Sequence, residues 1–248
     1  MTSPHLLLLS SSRYRDAGFL VDGLPVIKDF LVNCIAGDIK DVLFVPYANA
    51  AKEYDDYEAR VAAIFDTCGL GVQSIHHESD PVAAVRSAQA IAIGGGNTFA
   101  LLSRLQEAKL IEPIRQAVMA GTPYIGWSAG SNMACPTLCT TNDMPICEPE
   151  SFDALALIPF QINPHFVSGQ IAGHNGESRE QRLAEFMAVS PHKPVLALPE
   201  GTALRRHGEA LTMSGHADGI LFSADKQQVI KRDEDVSWML SNLQTPDA

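Results

Sequence analysis

The chain has 248 residues, of which 46% are hydrophobic and 19% are charged, as is typical of a globular protein with a sizeable core. Its formal net charge is −11 and no run of Lys or Arg interrupts this acidity, so nucleic acid and anionic membrane surfaces are disfavoured as partners. The five cysteines show neither C-x-x-C spacing nor a histidine pair that completes a zinc set. We therefore expect no metal and no cofactor, and reduced thiols in a cytoplasmic protein.

Strand-like and helix-like stretches alternate along the first half of the chain. The leucines of His5–Ser10 are too few for a signal peptide or a membrane span, so this stretch is predicted to be the first strand. Further strands are predicted at Asp41–Tyr47, Val72–Ile75, Ala90–Ile93 and just before Ser128, and helices at Leu24–Ile35, Asp55–Cys68, Pro81–Ala88, Thr98–Gln106 and Glu112–Ala120. Such βα repeats predict an α/β fold, with a mainly parallel sheet flanked by helices.

This alternation ends after Ser128. Residues 135–165 are predicted to form loops and short strands, and Ser178–Val189 a helix. Four short strands are predicted at Val195–Leu198, Ala203–Arg206, Ala210–Met213 and Gly219–Phe222. Because we find no repeat, low-complexity tract or linker, one domain over residues 1–248 is the simplest interpretation. The stretch beyond Ile230 has no functional interpretation.

The segment Gly126-Trp127-Ser128-Ala129-Gly130 follows the G-x-S-x-G pattern of a nucleophile elbow. In this motif a strand turns sharply on one serine into a helix, and the flanking glycines let the backbone pass close to its neighbours. Ser128 is therefore predicted to be an exposed nucleophile, with the Ala129 amide directed at an oxyanion. The alternative is a plain strand–turn–helix serine, since so short a pattern also arises by chance.

Residues Gly94–Asn97 form a second glycine-rich turn between a strand and a helix. Backbone amides in such a turn can bind an anion. A phosphate site requires G-x-G-x-x-G or a P-loop lysine, and both are missing here. We interpret the turn as a second oxyanion donor, with an ordinary tight turn as the alternative.

A serine nucleophile requires a base, which an acid orients. His165 lies in an apolar segment where Asn163 and Pro164 restrict the backbone, so it is the preferred base; His174, in a glycine-rich loop, is the rival. The adjacent His76 and His77 are typical of a surface pair.

Asp143 and Glu200 are the candidate acids, and spacing alone does not decide between them. Pro145 stiffens the loop of Asp143, whereas Glu200 lies in a bend between a proline and a glycine. Because a rigid support suits an orienting carboxylate, we predict that Asp143 is the principal partner of His165, with a shared role as the alternative.

Six sequence blocks carry a family resemblance. They are Gly94–Phe99, Tyr124–Gly130, Thr140–Ile146, Gln161–Phe166, Arg179–Arg182 and Leu198–Gly201. Their order and wording resemble the family of peptidase E, the α-aspartyl dipeptidases, which also includes cyanophycinase. The likeness covers residues 5 to about 205.

The resemblance implies a fold like that of class I glutamine amidotransferases. It also implies hydrolysis of dipeptides with a free N-terminal aspartate, through an acyl-enzyme on Ser128 with His165 as the base. The remaining implied assignments are Asp143 or Glu200 as the third catalytic residue, the amides of Gly96 and Ala129 as the oxyanion hole, and Arg179 and Asn97 as substrate-binding residues.

Some features depart from the family pattern, namely the loop Val167–Gly173 and Ala100. Arg179 also has an alternative interpretation, in which it pairs with a nearby acid, Glu177 or Glu180, on a solvated face. For the function, the alternatives are a cyanophycinase-like or other serine hydrolase and a non-catalytic binding protein. The sequence leaves the oligomeric state and the residue accepted after aspartate open.

Overall fold

The computed structural model of the chain describes residues 3–34, 39–170, 173, 175–224 and 226–241. His174, the rival base, lies outside the described residues, as do residues 171–172 of the loop that departs from the family pattern and Ile35 at the end of the first predicted helix. Among the described residues, no helix is both long enough and apolar enough to span a bilayer.

The strands and α-helices follow each other along the chain in this order: β1 (His5–Leu9), α1 (Leu24–Cys34), β2 (Asp41–Val45), α2 (Tyr54–Asp66), β3 (Gly71–Ser74), α3 (Pro81–Ser87), β4 (Ile91–Ile93), α4 (Thr98–Glu107), α5 (Ile111–Met119), β5 (Tyr124–Trp127), α6 (Ala129–Asn132), β6 (Gln161–Phe166), α7 (Arg179–Val189), β7 (Val195–Pro199), β8 (Thr202–His207), β9 (Ala210–Gly215), β10 (Gly219–Ser223) and β11 (Lys226–Ile230). Short 3-10 helices lie at Ile75–His77 and Ser237–Leu240.

The larger sheet has seven strands in the order β3-β2-β4-β5-β1-β8-β9. Its first five strands are parallel, and β8 and β9 extend it in antiparallel fashion. Leu6 and Leu8 of β1 pack into one hydrophobic cluster with α4 and α5, whereas Leu7 and Leu9 pack into another with α1 and α2. This alternation shows that helices cover both faces, which confirms the predicted mainly parallel sheet flanked by helices.

The smaller sheet has four strands in the order β11-β10-β7-β6. Strands β6 and β7 are parallel, and the other pairs are antiparallel. One face of this sheet contributes Ile162, Leu196 and Leu221 to the cluster that contains Leu6 and Leu8. The other face packs against α7 through a separate small cluster that includes Phe166 and Leu183.

The elements begin and end close to the predicted residues, because local signals encode their ends. Asp80 caps α3 by accepting a hydrogen bond of 3.0 Å from the Ala83 amide, and a capping box at Ser178 begins α7. Strand β11 was not predicted. Four of its five residues are exposed, so the segment lacks the apolar alternation that reveals a half-buried strand.

Candidate active site

Strand β5 ends in a sharp turn at Ser128. This residue has φ 54° and ψ −112°. Residues other than glycine rarely adopt this backbone conformation, which costs about 1–3 kcal/mol. Its amide donates a hydrogen bond of 3.1 Å to the Leu9 carbonyl of the neighbouring strand β1, and helix α6 begins at the next residue. The surrounding fold therefore fixes Ser128 in a strained turn at the carboxyl end of the sheet.

The glycines of the elbow are required by close backbone contacts. A Cβ atom on Gly126 would lie 2.5 Å from the Gly130 carbonyl oxygen. A Cβ atom on Gly130 would overlap the carbonyl oxygen of Ile93 on β4. Backbone atoms cannot move aside as a side chain can. The two glycines of the G-x-S-x-G pattern are therefore needed because a side chain at either position would collide with neighbouring backbone.

Ser128, His165 and Glu200 form a continuous hydrogen-bonded chain. The Nε2 atom of His165 lies 2.9 Å from Ser128 Oγ, and its Nδ1 atom lies 2.8 Å from Glu200 Oε1. The His165 side chain is 39% exposed and that of Glu200 is 51% exposed, so substrate can approach these hydrogen-bonded residues from solvent. This is the geometry of a nucleophile, a base and an orienting acid.

His165 is positioned by an irregularity in strand β6. The pairing register of β6 and β7 shifts between Asn163 and Phe166, and His165 has φ 55°. The His165 amide donates to Ser10 Oγ at 2.9 Å, and that buried hydroxyl donates to the Leu198 carbonyl at 2.8 Å. The backbone of His165 is thus tied both to β7 and to the residue that follows β1.

Glu200 occupies the turn that connects β7 of the smaller sheet with β8 of the larger one. Thr202 Oγ1 donates to the Pro199 carbonyl at 2.6 Å across this turn, and the amide of His216 donates to the Gly201 carbonyl at 3.0 Å. The bend is therefore pinned on both sides by hydrogen bonds, and it holds the carboxylate against His165.

The structure does not bring Asp143 to His165. Asp143 Oδ2 accepts hydrogen bonds from the amide of Thr98 at 2.7 Å and from its hydroxyl at 2.6 Å. These contacts hold the first residue of α4, next to the glycine-rich turn. The predicted preference for Asp143 as the partner of His165 thus differs from the observed geometry, because the Asp143 carboxylate binds the first residue of α4 and Glu200 contacts the imidazole.

Asn97 also supports this turn. Its side-chain carbonyl caps α4 by accepting from the Ala100 amide at 3.0 Å, and its side-chain nitrogen donates to the Met144 carbonyl at 2.9 Å. Asn97 lines the cleft beside Ser128, but both polar groups of its side chain are used within the protein.

The glycine-rich turn packs directly against the elbow. A Cβ atom on Gly95 would lie 3.1 Å from the Ser128 Cβ atom. Tyr57 holds the turn in place, because its hydroxyl donates to the Gly95 carbonyl at 3.0 Å and accepts from Trp127 Nε1 at 3.0 Å. Within the described part of the chain, the amides of Gly96 and Ala129 donate to no acceptor, so both are free to bind an oxyanion.

Ser128, His165 and Gly96 share one open cleft of about 500 Å³. Two exposed arginines, Arg13 and Arg60, also line it. Neither arginine was predicted from the sequence. Arg13 follows β1, and the rule that ligands bind at the carboxyl ends of parallel strands offered a signal for it. Arg60 lies within α2, and no pattern in the sequence distinguishes it.

Arg179 is the first residue of α7 and lies in a neighbouring cavity of about 300 Å³, which Arg182 also lines. Its Nη1 atom donates to Asn142 Oδ1 at 2.5 Å, and Asn142 in turn donates to the Pro164 carbonyl at 2.8 Å, next to His165. Burial lowers the pKa of Arg179, and the positive charge of Arg182 adds to this effect.

Neither acid that the sequence offered as a partner of Arg179, Glu177 or Glu180, forms an ion pair with it. Glu177 lies 3.8 Å from Arg182, and Glu180 accepts hydrogen bonds from Ser168 and Gly169 at 2.7 Å. Among the described residues, no carboxylate lies within ion-pair distance of Arg179.

Comparison with known proteins gives a consistent result. The profile of peptidase family S51 matches residues 6–214. The chain is 48% identical over 223 residues to Peptidase E of Pasteurella multocida (strain Pm70), which covers 90% of this chain and 94% of that relative. It is 46% identical over 235 residues to Peptidase E of Shewanella sp. (strain MR-4), which covers 94% and 98% of the two chains.

Two solved structures share the fold. A peptidase from an acI-B1 Actinobacterium superposes with a TM-score of 0.69 at 18% sequence identity, over 94% of this chain and 96% of the other. A putative Peptidase E protein from Listeria monocytogenes EGD-e superposes with a TM-score of 0.63 at 23% identity, over 87% of this chain and all of the other, 100%.

Proposed function

The chain belongs to peptidase family S51 and is a serine peptidase, and from this premise we propose that it hydrolyses dipeptides that begin with an unblocked aspartate. The observation that carries the proposal is the hydrogen-bonded chain from Ser128 through His165 to Glu200, set beside two free backbone amides. In this proposal Ser128 is the nucleophile, His165 is the base and Glu200 is the acid that orients it.

The proposed reaction proceeds in two halves. His165 Nε2 accepts the proton of Ser128 Oγ while that oxygen attacks the aspartyl carbonyl, and the amides of Gly96 and Ala129 bind the oxyanion that forms. The imidazolium then gives its proton to the departing amine, which leaves an acyl-enzyme on Ser128. Water, deprotonated by the same imidazole, releases aspartate and restores the serine. Glu200 stabilises the imidazolium in each half.

Selectivity for an N-terminal aspartate is proposed to rest on Arg179. An acidic protein requires a local cation to bind an acidic substrate, and this guanidinium has no carboxylate partner among the described residues. It can bind a carboxylate with two parallel hydrogen bonds. The contact of Arg179 with Asn142, which bonds the carbonyl next to His165, connects this cation to the catalytic segment. Asn97 lines the same cleft as Ser128 and is proposed to contact the substrate there.

The first prediction concerns the nucleophile. The variant Ser128→Ala is expected to lose turnover of Asp-Leu by roughly 10⁴-fold or more, because members of a triad act as a unit. A fluorophosphonate probe is expected to label the wild type once, at Ser128, and to leave the variant unlabelled. The control is Ser131→Ala, in which a serine of α6 that bonds the Leu9 carbonyl is lost instead. Activity within tenfold of wild type in a folded Ser128→Ala protein contradicts the serine mechanism.

The second prediction concerns the substrate. Arg179→Met is expected to lower kcat/KM on Asp-Leu by about 2–4 kcal/mol of transition-state stabilisation, the range for truncating one partner of a charge pair. Labelling of Ser128 by a small uncharged phosphonate is expected to be nearly unchanged. Arg182→Met, in the same cavity, is the matched control, and Arg60→Met tests the other side of the cleft. If Arg60→Met loses activity on Asp-Leu and Arg179→Met keeps full activity, the substrate carboxylate binds Arg60 rather than Arg179.

A substrate panel separates the alternatives. The wild type is expected to cleave Asp-Leu in preference to Glu-Leu, N-acetyl-Asp-Leu, β-Asp-Leu and a simple ester. For Glu-Leu the reason is that one extra methylene displaces the scissile carbonyl from Ser128. Preferential cleavage of β-Asp-Leu or of the ester would instead favour the alternative of a cyanophycinase-like or other serine hydrolase.

We further propose that residues 1–248 form one domain and that the protein acts in the cytoplasm. Both sheets contribute to one hydrophobic cluster, which supports the single domain. The described cysteines Cys68, Cys135, Cys139 and Cys147 are free thiols, as expected in a reducing compartment. The proposed partner is a small peptide, with neither nucleic acid nor membrane.

A further inference from the structure

We propose that Asp55, Glu58, His76 and His77 form a binding site for a divalent transition-metal ion, for which Zn²⁺ is the representative cation. One donor atom from each of the four side chains lies within 4.8 Å of the others. This proposed metal site is separate from the proposed active site, because it includes none of the three hydrogen-bonded residues Ser128, His165 and Glu200.

The four residues come from two elements that pack together. Asp55 and Glu58 are three residues apart in α2, so they lie on one face of that helix. His76 and His77 belong to the 3-10 helix that directly follows β3, the edge strand against which α2 packs. The two imidazole rings lie side by side, with centroids 3.9 Å apart. The acidic face of α2 and the histidine pair are therefore brought to one point on the surface.

The donor distances match those around a small tetrahedral ion. Nε2 of His76 lies 2.9 Å from Asp55 Oδ1, and Nε2 of His77 lies 3.2 Å from the same oxygen. Nε2 of His77 also lies 3.0 Å from Glu58 Oε2. Ligand atoms at ~2.0–2.1 Å from a tetrahedral zinc are ~3.3–3.4 Å apart. Metal binding would therefore lengthen these three distances by a few tenths of an ångström, and the other donor pairs, which lie within 4.8 Å of one another, would adjust to the same spacing.

Neighbouring groups orient two of the four donors. The Ser74 hydroxyl lies 2.6 Å from His76 Nδ1, and this hydrogen bond orients the ring with Nε2 toward Asp55. The Ser74 amide donates to Glu58 Oε1 at 3.1 Å, which leaves Oε2 to face the Nε2 atom of His77. Outer partners of this kind typically fix the ligands of a metal centre.

The composition of the cluster suits a divalent cation. The Nε2 atom of His76 and an oxygen of Asp55 face each other at 2.9 Å, so one ion placed between them can bind both. Two carboxylates and two neutral imidazoles balance the charge of one divalent ion, and this donor set suits zinc.

A metal here would fasten α2 to the edge of the sheet. Tyr57 and Arg60 lie on the opposite side of the same helix, where they line the catalytic cleft, and Tyr57 holds the glycine-rich turn. The proposed ion is thus a structural clamp behind one wall of the cleft. It is not a participant in peptide hydrolysis.

The test is Zn²⁺ binding to untagged, chelator-treated full-length protein, followed by competition with a chromophoric chelator. We expect one Zn²⁺ per chain, a higher Tm with the metal, and an X-ray absorption spectrum with nitrogen and oxygen ligands at ~2.0–2.1 Å and no sulfur. Asp55→Asn and His77→Asn are expected to weaken binding by more than the roughly 10–100-fold loss expected for Ser74→Ala, which removes only an outer partner.

Matched controls separate this site from adventitious binding. Asp56→Asn removes the neighbouring exposed carboxylate of α2, and His192→Asn removes an exposed histidine elsewhere. A Cys139→Ser/Cys147→Ser variant removes the two exposed thiols. All three are expected to bind as the wild type does. The proposal is overturned if the wild type takes up no Zn²⁺ at about 100 μM, if sulfur appears among the ligands, or if Asp55→Asn binds like Asp56→Asn. The cluster then holds only hydrogen-bonded histidine–carboxylate pairs.

Discussion

His165 is the residue on which the proposed chemistry depends, because its two ring nitrogens face Ser128 on one side and Glu200 on the other. Each of the three residues comes from a different element: the end of β5, the irregular part of β6, and the turn after β7. The catalytic geometry is therefore a property of how three strand ends meet, and a change at any of them alters it.

At this scale the third prediction separates the two acids. Glu200→Gln is expected to lower kcat by about 10²–10⁴-fold, because the neutral amide cannot stabilise the imidazolium or enforce its tautomer. Asp143→Asn is expected to lower kcat less than tenfold and to reduce the free energy of unfolding by about 1–3 kcal/mol, since a charged acceptor of the Thr98 amide is lost. Steady-state kinetics and chemical denaturation of both variants provide the measurement.

Glu200→Asp serves as the conservative control, since it keeps the charge on a shorter side chain and is expected to retain part of the activity that Glu200→Gln loses. A larger kcat loss in Asp143→Asn than in Glu200→Gln would return the orienting role to Asp143.

Residue identity alone did not predict which acid meets His165. Pro145 favoured Asp143 because it predicts a stiff loop, but a prediction of rigidity says nothing about direction, and the Asp143 carboxylate is directed at Thr98. The turn at Glu200 looked adaptable in sequence, yet Thr202 and His216 pin it through contacts between strands. Such contacts depend on strand pairing, which one segment of sequence does not reveal.

At the scale of elements, the elbow shows why some of the site was predictable. Its turn, its glycines and its exposed serine are encoded within five adjacent residues, so the local pattern carries the whole steric argument. The arginines of the cleft are different. Arg13 and Arg60 reach it from the end of β1 and from α2, and only the packing of these elements brings them together.

The fourth prediction tests the elbow as an element. Gly130→Ala is expected to reduce the free energy of unfolding by about 1–3 kcal/mol and to lower kcat, because the new Cβ atom would overlap the backbone carbonyl of Ile93 and displace the start of α6. Thermal and chemical denaturation measure the first effect, and Asp-Leu hydrolysis measures the second.

Gly23→Ala is the matched control for this substitution, since its new Cβ atom would lie 3.4 Å from the Leu9 side chain and 3.8 Å from the Leu20 carbonyl oxygen, which are ordinary contacts. We expect it to keep wild-type activity and stability within about 0.5 kcal/mol. Equal behaviour of the two alanine variants would contradict the steric account of the elbow.

At the scale of the whole molecule, the last third of the chain divides its strands between two sheets. Strands β7, β10 and β11 build the smaller sheet, while β8 and β9 extend the larger one. The sequence predicted four of these five strands but not their distribution, because short apolar segments do not specify their partners. The turn that carries Glu200 is one of the crossings between the sheets, so the proposed site depends on their mutual arrangement.

The final prediction asks whether the two sheets unfold together. Leu196 on β7 is fully buried in the cluster that also contains Leu6 and Leu8 of β1. Leu196→Ala is expected to reduce the free energy of unfolding by about 2–5 kcal/mol, through lost burial and the cavity left behind. If one domain is present, native-state hydrogen exchange will show the same reduction for slowly exchanging amides of β5 and of β7. Val189→Ala is the control, because that side chain is 83% exposed and its loss is expected to change stability by less than about 0.5 kcal/mol. A reduction confined to the amides of β7 and its neighbours in the smaller sheet would show that the sheets open independently, and the single-domain proposal would then be wrong.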